Sequence, residues 1–192
     1  GRHPNFVFRL ALRDSLSMPK LLKTAVLRGF GQVGLLLANT GWGRSNLAAA
    51  ELHLKRAQRP RITGVAWHNW GEKSLLARYM SLSESGAKAI VVVGNDDDVA
   101  LLVREMATLP EAQRLPLLCH QGITGGKFTT LAGPALQQVD LSVLQTFSFF
   151  SAEPERRDRF MKSAAKFAGI SSIEQLEAPT GIAHAYDLLH LL

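Results

Sequence analysis

Short β-like runs alternate with helical stretches along most of this 192-residue chain. The clearest strand is AIVVV at 89–93, because an uninterrupted apolar and β-branched run is typical of a strand buried on both faces. Other strands are predicted at 6–12, 33–37, 61–68, 115–120 and 141–149. Helices are predicted between them at 18–29, at 46–58, at 73–85 and from residue 96 onward, with a weak helical segment at 131–137. Strands separated by helices, at spacings of roughly 25–30 residues, indicate βαβ units and a parallel sheet. The sequence therefore predicts a three-layer αβα fold around a mainly parallel, Rossmann-like sheet.

The strand pattern stops near residues 151–154. Two predicted helices, at 155–168 and 181–192, then follow without a strand between them, which is unusual for a complete doubly wound domain. We therefore predict an α/β domain over 1–150 and a helical segment over 151–192 that belongs to a sheet outside this chain. The start, GRHPNF, has neither an initiator methionine nor an apolar signal region, so we expect a piece of a longer or processed protein.

Composition narrows the function. A chain that is 46% apolar can bury one good core, and it contains no apolar run long enough for a membrane span. The net charge is +6, but the densest basic cluster, at 55–61, lacks the interleaved aromatic residues that stack on nucleic acids. It is interpreted as a solvated helix end rather than a nucleic-acid surface. Cys119 is the single cysteine, lies in an apolar run, and is predicted to be a buried, unreactive thiol.

Two glycine-rich stretches imitate phosphate-binding motifs. GFGQVG at 29–34 has the GxGxxG spacing, but it follows a predicted helix and precedes a strand, the reverse of the dinucleotide-binding context. GITGGK at 122–127 fails the P-loop spacing, since Gln121 stands where the first glycine belongs. The histidine and serine spacings match no metalloprotease or nucleophile-elbow pattern. We predict no cofactor, no metal and no catalytic residues, and binding without chemistry is favoured.

Candidate binding residues follow three predicted strands, where open α/β sheets place their ligands. Trp42 lies in a glycine-flanked turn after 33–37, either as a stacking platform or as a lid over packing. Asn95 and Asp96 follow the strand at 89–93. The acids at 96–98 are interpreted mainly as capping a helix and complementing its dipole, with a site for a hard metal ion as the alternative. Asn95 and Asp96 are also placed to contact a polar ligand. Trp67 belongs to a predicted loop, WHNW, where a cleft-lining and a structural role are equally supported.

Several segments, in this order, resemble the type I periplasmic binding proteins of the leucine/isoleucine/valine-binding family, which serve branched-chain amino-acid ABC importers. The segments are Phe8 and Arg9 with Asp14, VGLLLANTGWG at 33–43, AIVVVGND at 89–96, LPLLCHQGI at 115–123, LAGPA at 131–135 and AYDLLHLL at 185–192. The resemblance covers essentially the whole chain. It implies a flavodoxin-like second lobe, with helices that return to a first lobe lying outside the chain.

The resemblance also implies roles for single residues. The aromatic residue of the first βα turn corresponds to Trp42, the residue after the buried strand to Asp96, and the carboxylate that receives the ligand's ammonium to Gln121. A neutral amide cannot neutralise a buried ammonium group. Two alternatives follow: Asp96 supplies the charge, or the ligand is not an amino acid.

Three functions are therefore compared. The first is a periplasmic solute-binding protein that closes on a small polar ligand, an amino acid or small carboxylate, through crossing segments near 10–15 and 147–151, and delivers it to an ABC permease. The second is the ligand-sensing domain of a signalling receptor with the same fold. The third, a nucleotide-dependent enzyme, requires phosphate-binding glycines after a strand, which neither glycine motif provides.

Overall fold

The computed structural model describes residues 11–191, so the predicted strand at 6–12 falls largely outside it, as do Phe8 and Arg9. The helices are α1 (Asp14–Leu27), α2 (Gly41–Ala57), α3 (Leu76–Glu84), α4 (Asp96–Ala107), α5 (Phe128–Ala132), α6 (Pro154–Ala168) and α7 (Pro179–Leu191). The strands are β1 (Gln32–Ala38), β2 (Arg61–His68), β3 (Ala89–Val93), β4 (Leu117–Cys119) and β5 (Leu141–Val143). Short 3-10 segments lie between some of these elements.

The described residues fall into two compact units. Arg13–Gln145 forms an α/β unit, and the described residues from Thr146 onward belong to a second unit that contains α6 and α7. The domain boundary predicted after residue 150, and the return of the last helices to another sheet, remain predictions.

The sheet of the α/β unit has the strand order β2-β1-β3-β4-β5, and every neighbouring pair is parallel. This is the flavodoxin-like order, in which β1 is flanked on one side by β2 and on the other by β3. The predicted α/β fold class with a parallel sheet is confirmed. Strands β2 and β3 match their predicted ranges, 61–68 and 89–93.

Two apolar clusters cover the two faces of the sheet, because alternate residues of a strand point to opposite sides. Leu36, Ile90 and Leu117 face the cluster that includes residues of α3, α4 and α5. Leu35, Val91 and neighbouring residues face α1 and α2. All five residues of β3 are buried, which confirms its assignment as an inner strand covered on both faces.

The stretch GFGQVG at 29–34 connects a helix to a strand, so it is not a dinucleotide-binding motif, which connects a strand to a helix. Helix α1 ends at Leu27, Gly29 adopts a left-handed conformation with φ +86°, and β1 begins at Gln32. A glycine just after a helix is the common left-handed helix stop. The predicted helix-to-strand context is confirmed.

Other predicted bounds were wrong. The strand predicted at 141–149 is only Leu141–Val143 long. The helical segment predicted at 131–137 consists of α5, which ends at Ala132, and a 3-10 helix over Gly133–Gln138. The residues at 144–149 are mostly apolar and aromatic, a composition typical of a strand. In the structure β5 nevertheless ends at Val143, at the edge of the sheet, where it has a partner strand on one side only.

No helix within residues 11–191 has the length and apolarity needed to cross a membrane.

Tyr79 on α3 carries a hydrogen-bonding role that its sequence context does not reveal. Its side chain is fully buried, and its hydroxyl donates to the Gln113 carbonyl at 2.6 Å and accepts the Leu115 N–H at 2.6 Å. Burial raises the pKa of Tyr79, and the bond from Leu115 opposes that rise. The hydroxyl therefore connects α3 to the segment that leads into β4.

Tyr79→Phe is expected to lower the free energy of unfolding by about 1–3 kcal/mol, because it removes two part-buried hydrogen bonds, each of which contributes about 0.5–1.5 kcal/mol. Since the folded pKa lies above the unfolded one near 10, wild type should lose stability as pH rises above about 10, and the variant should lack this component. Urea denaturation of both proteins at pH 8 and above pH 10 measures it. Equal stability at pH 8 would contradict the structure.

Candidate functional site

The carboxyl ends of β1 and β3 form the topological switch point of the sheet. These strands are neighbours, but the chain leaves β1 toward β2 on one side and leaves β3 toward β4 on the other. In open α/β sheets, the turns that follow the strands at such a point are where ligands bind. The candidate site therefore consists of residues that follow β1, β3 and β4.

Trp42 follows β1, but the sequence prediction of its local structure was wrong. It lies in the first turn of α2, which begins at Gly41 rather than at residue 46. Thr40 is the N-cap, and its hydroxyl accepts the Gly43 N–H at 3.4 Å. A threonine cap supplies a hydrogen-bond acceptor that the free N–H groups of a first turn need, so the helix starts at the glycines despite their low propensity.

The indole of Trp42 is half-buried and packs against two residues that follow β4. Its ring lies edge-to-face with the imidazole of His120, with centroids 5.1 Å apart and an interplanar angle of 86°. A Cβ placed on Gly122 would lie 2.6 Å from Trp42 Cη2 and 2.4 Å from the Gly94 carbonyl oxygen. The turns after β1, β3 and β4 therefore meet in direct packing contact at the switch point.

The turn after β3 carries Asn95 and Asp96, both half-buried. Asn95 is the N-cap of α4 by position, but its side chain forms no capping hydrogen bond. Asp96 Oδ2 accepts the Lys127 N–H at 3.3 Å, and Asp98 Oδ1 accepts the Gly71 N–H at 3.2 Å. The three acids do lie in the first turn of the helix, but the bonds of Asp96 and Asp98 connect other loops, so interpreting them as caps was wrong in this respect.

Gln121 follows β4 and opens the 3-10 helix Gln121–Thr124. Its Oε1 atom is buried and has no hydrogen-bond partner among the described residues. A buried amide oxygen without a donor is uncommon in folded proteins and calls for a partner such as water or a ligand. Gln121 thus lies at the predicted edge of the sheet, with an unused acceptor.

Trp67 lies inside β2, in agreement with the strand predicted at 61–68, so the overlapping prediction of a loop at 67–70 was wrong for this residue. Its ring packs with the cluster on the α1 and α2 face, and the Arg44 guanidinium carbon lies 5.7 Å from the ring centroid. Trp70, at the start of the real loop, is 58% exposed. A role for Trp67 in ligand binding remains a prediction, and its observed contacts are packing contacts.

His120 is the residue that sequence reasoning missed. It is 1% exposed, and its Nε2 lies 3.5 Å from Asp14 Oδ1. Burial lowers the pKa of His120, and the Asp14 carboxylate opposes this shift. The signal was present in the alternation of β4, because Leu118 faces α1 and α2 and His120, two residues on, continues the same face.

A polar network borders the site at the ends of β1 and β2. Asn39 donates to Asn69 at 3.0 Å, the Asn69 backbone N–H donates to Glu72 at 2.8 Å, and Arg78 forms an ion pair with Glu72 at 2.9 Å. The bond from the Asn69 backbone is the main reason that the pKa of Glu72 is lowered, and Arg78 adds to it. Arg44 also donates to Asn39 at 3.2 Å. This network holds the loops that follow β1 and β2 against each other.

A separate concavity of about 560 Å³ lies in the unit from Thr146 onward. Aromatic rings and charged side chains line it, among them Phe147, Phe149, Phe160, Arg156 and Asp187. None of the five predicted binding residues lines it.

Two chemical features of the site bear on its chemistry. Among residues 11–191, no group of three or more His, Cys, Asp or Glu side chains is placed to hold a metal ion. Cys119 is fully buried, which confirms the predicted burial, and burial raises the pKa of its thiol well above the ordinary value, which disfavours the reactive thiolate. The remaining groups, an indole, amides, a carboxylate and a buried imidazole, suit reversible binding of a small polar molecule.

No protein-family model and no curated protein sequence matches the chain. Solved structures do match its fold. A type 1 periplasmic binding protein from Bordetella pertussis Tohama I is 20% identical, with a TM-score of 0.68 over 82% of this chain and 41% of that one. The branched-chain amino acid transporter substrate binding protein LivJ from Streptococcus pneumoniae, solved in complex with isoleucine, is 18% identical, with a TM-score of 0.73 over 93% and 48%.

A fatty acid ABC transporter substrate-binding protein from Thermomonospora curvata has a TM-score of 0.72 at 12% identity, over 91% of this chain and 43% of that one. The chain thus spans less than half the length of each of these three structures. At these identities the likeness shows the fold, and the names of the matching proteins point to ligands of different chemistry, isoleucine in one and a fatty acid in another.

Proposed function

We infer that this chain, which has the α/β fold of one lobe of a type I periplasmic binding protein, is the ligand-holding lobe of an extracytoplasmic solute-binding protein. Trp42, Asn95, Asp96 and Gln121 would hold a small polar ligand, an amino acid or a related carboxylate. A second α/β lobe would close over it, through hinges near 10–15 and 147–151. The partner would be the membrane permease of an ABC importer, and the location periplasmic.

The observation that carries this proposal is the contact of three turns at the switch point. Gly122 allows the turn after β4 to approach both Trp42 and the Gly94 carbonyl, closer than any side chain would permit. Asp96 lies two residues after Gly94, and Gln121 lies directly before Gly122, so both belong to these turns. An aromatic face with a few polar groups beside it is the usual composition of a small-molecule site.

The charges favour a ligand with both an ammonium and a carboxylate group. Asp96 is a half-buried carboxylate at the switch point, and its Oδ2 accepts the Lys127 N–H. It can take the role of ammonium acceptor that Gln121, a neutral amide, cannot fill. The first turn of α2 contains no acidic residue, so its N–H groups and helix dipole favour a ligand carboxylate beside Trp42.

A thermal-shift panel on the full-length protein tests the proposal. Leucine, isoleucine, valine, short carboxylates and a medium-chain fatty acid are compared with nucleotides. A ligand at about 100 times its Kd stabilises the folded state by about 2.7 kcal/mol, which raises Tm by several degrees. We expect such a shift with an amino acid or carboxylate. A shift with nucleotides alone, or with no member of the panel, would overturn the proposal.

A further inference from the structure

His120 is fixed in place by the backbone on both sides of it. Its N–H donates to the Val92 carbonyl at 2.9 Å, and the Cys119 carbonyl before it accepts the Leu144 N–H at 2.9 Å. The residue therefore continues the ladder between β3 and β5 just beyond the end of β4. Its imidazole projects to the face where Leu118 packs with α1 and α2.

A layer of buried polar side chains lies on the elements that pack around His120: Ser17 on α1, which also carries Asp14, and Asn46 on α2, which also carries Trp42. His120 and Ser17 are 1% and 0% exposed, and Asn46 is 0% exposed. Ser17 Oγ, Asn46 Oδ1 and both ring nitrogens of His120 have no hydrogen-bond partner among the described residues. The core of this face is otherwise apolar. Polar groups are costly to bury, so this layer at the carboxyl end of the sheet requires an explanation beyond packing.

Two side chains define the orientation of His120. Asp14, in the first turn of α1, places Oδ1 3.5 Å from Nε2. Trp42, in the first turn of α2, meets the imidazole edge-to-face at a centroid distance of 5.1 Å. Asp14 is the charged group that acts on His120, while α2 contributes the neutral Trp42 and Asn46.

We propose that His120 is a positioning residue of the binding site: oriented by Asp14, its imidazole supports the indole of Trp42 at the switch point. This inference rests on the proposed function, in which Trp42 is the ligand-stacking residue. It explains why a histidine occupies a buried position where an aliphatic residue would fill the volume. An imidazole offers an aromatic edge or face to the indole and a nitrogen to the carboxylate at once.

The charge state of His120 follows from the same geometry. Burial lowers its pKa from the ordinary 6.5, and Asp14 partly offsets this because a nearby carboxylate favours the imidazolium. The neutral imidazole therefore supports Trp42 at neutral pH. Removing the carboxylate with Asp14→Asn should lower the pKa of His120 further.

Nitrogen-15 NMR of the full-length, ligand-free protein tests the proposal. The indole N–H signals of the three tryptophans are assigned with single Trp→Phe variants. We expect His120→Gln to shift the Trp42 signal and to leave that of the exposed Trp70 in place, with His120→Asn as a second variant in case the first folds poorly. His53→Gln is the matched control, since His53 lies on α2 with Trp42 and also has a pKa lowered by burial.

The imidazole signals of His120 give the second readout. We expect a titration midpoint below 6.5 in wild type and a lower midpoint in Asp14→Asn. An unchanged Trp42 signal in both His120 variants, or a midpoint that Asp14→Asn leaves in place or raises, would overturn the inference. No ligand is present in these measurements, so a failed ligand panel would contradict the proposed function and would not affect this result.

Discussion

Gly43→Ala is expected to destabilise the α/β unit by about 3 kcal/mol, the upper end of the usual cost of overpacking. A Cβ at this position would lie 1.9 Å from the Ala38 carbonyl oxygen and 3.1 Å from Trp67 Cζ3. The first of these atoms belongs to the backbone at the end of β1, which cannot move without disturbing the sheet. Gly43 is therefore required for the first turn of α2 to pack directly on its preceding strand.

Gly41→Ala is the matched control, because Gly41 and Gly43 directly flank Trp42 in the sequence. No atom lies within 4 Å of a Cβ placed there, and its φ is not positive. Alanine should leave stability unchanged or raise it by up to about 1 kcal/mol, because it restricts the unfolded chain. All three tryptophans lie within Arg13–Gln145, so urea denaturation followed by fluorescence reports on this unit. Equal midpoints for the two variants would show that the close contact is absent.

Trp42→Ala is expected to weaken ligand binding by about tenfold or more, equivalent to at least about 1.4 kcal/mol. The variant removes the aromatic surface of the proposed site and uncovers His120 and Gly122, which the indole contacts. Isothermal titration calorimetry with the ligand found in the thermal-shift panel measures the effect. Trp42→Phe keeps an aromatic ring in the same turn and should lose less affinity.

The matched control for this experiment is Trp70→Ala. Trp70 is 58% exposed, lies in the loop after β2 and is not among the residues proposed to hold the ligand. It should bind as wild type does. Wild-type affinity in both Trp42 variants would remove Trp42 from the site, and an equal loss in Trp70→Ala would indicate a general effect of removing tryptophan.

Much of the fold could be predicted because its signals are local. The run 89–93 is short, apolar at every position and rich in β-branched residues, a combination typical of a strand covered on both faces. Gly29 marked the helix stop before β1 in the same way. By contrast, the start of α2 was placed five residues too late, because a glycine pair normally predicts a turn and the Thr40 cap that overrides it depends on three-dimensional geometry.

The candidate site was predictable in its position but not in its contacts. Strand ends in a parallel sheet meet at one edge, so the strand pattern placed Trp42 and Asp96 there, and the family resemblance added Gln121. It could not show that Asp98 bonds to Gly71, or that Trp67 packs inside β2. Asp98 and Gly71 are 27 positions apart in the sequence, and the placement of Trp67 depends on the exact end of β2.

The sequence by itself determined the α/β class, the buried central strand and the absence of a phosphate-loop spacing, because periodicity and glycine position act within a few residues. Only the tertiary structure decided that His120 lies beneath Trp42 and beside Asp14, since those residues are far apart in the chain and come together through the parallel strand order. Packing across β1, β3 and β4 also decided which glycines are indispensable. Gly41 and Gly43 flank Trp42 and cannot be told apart from the sequence, but a Cβ at Gly43 would meet the Ala38 carbonyl oxygen and one at Gly41 would meet nothing within 4 Å.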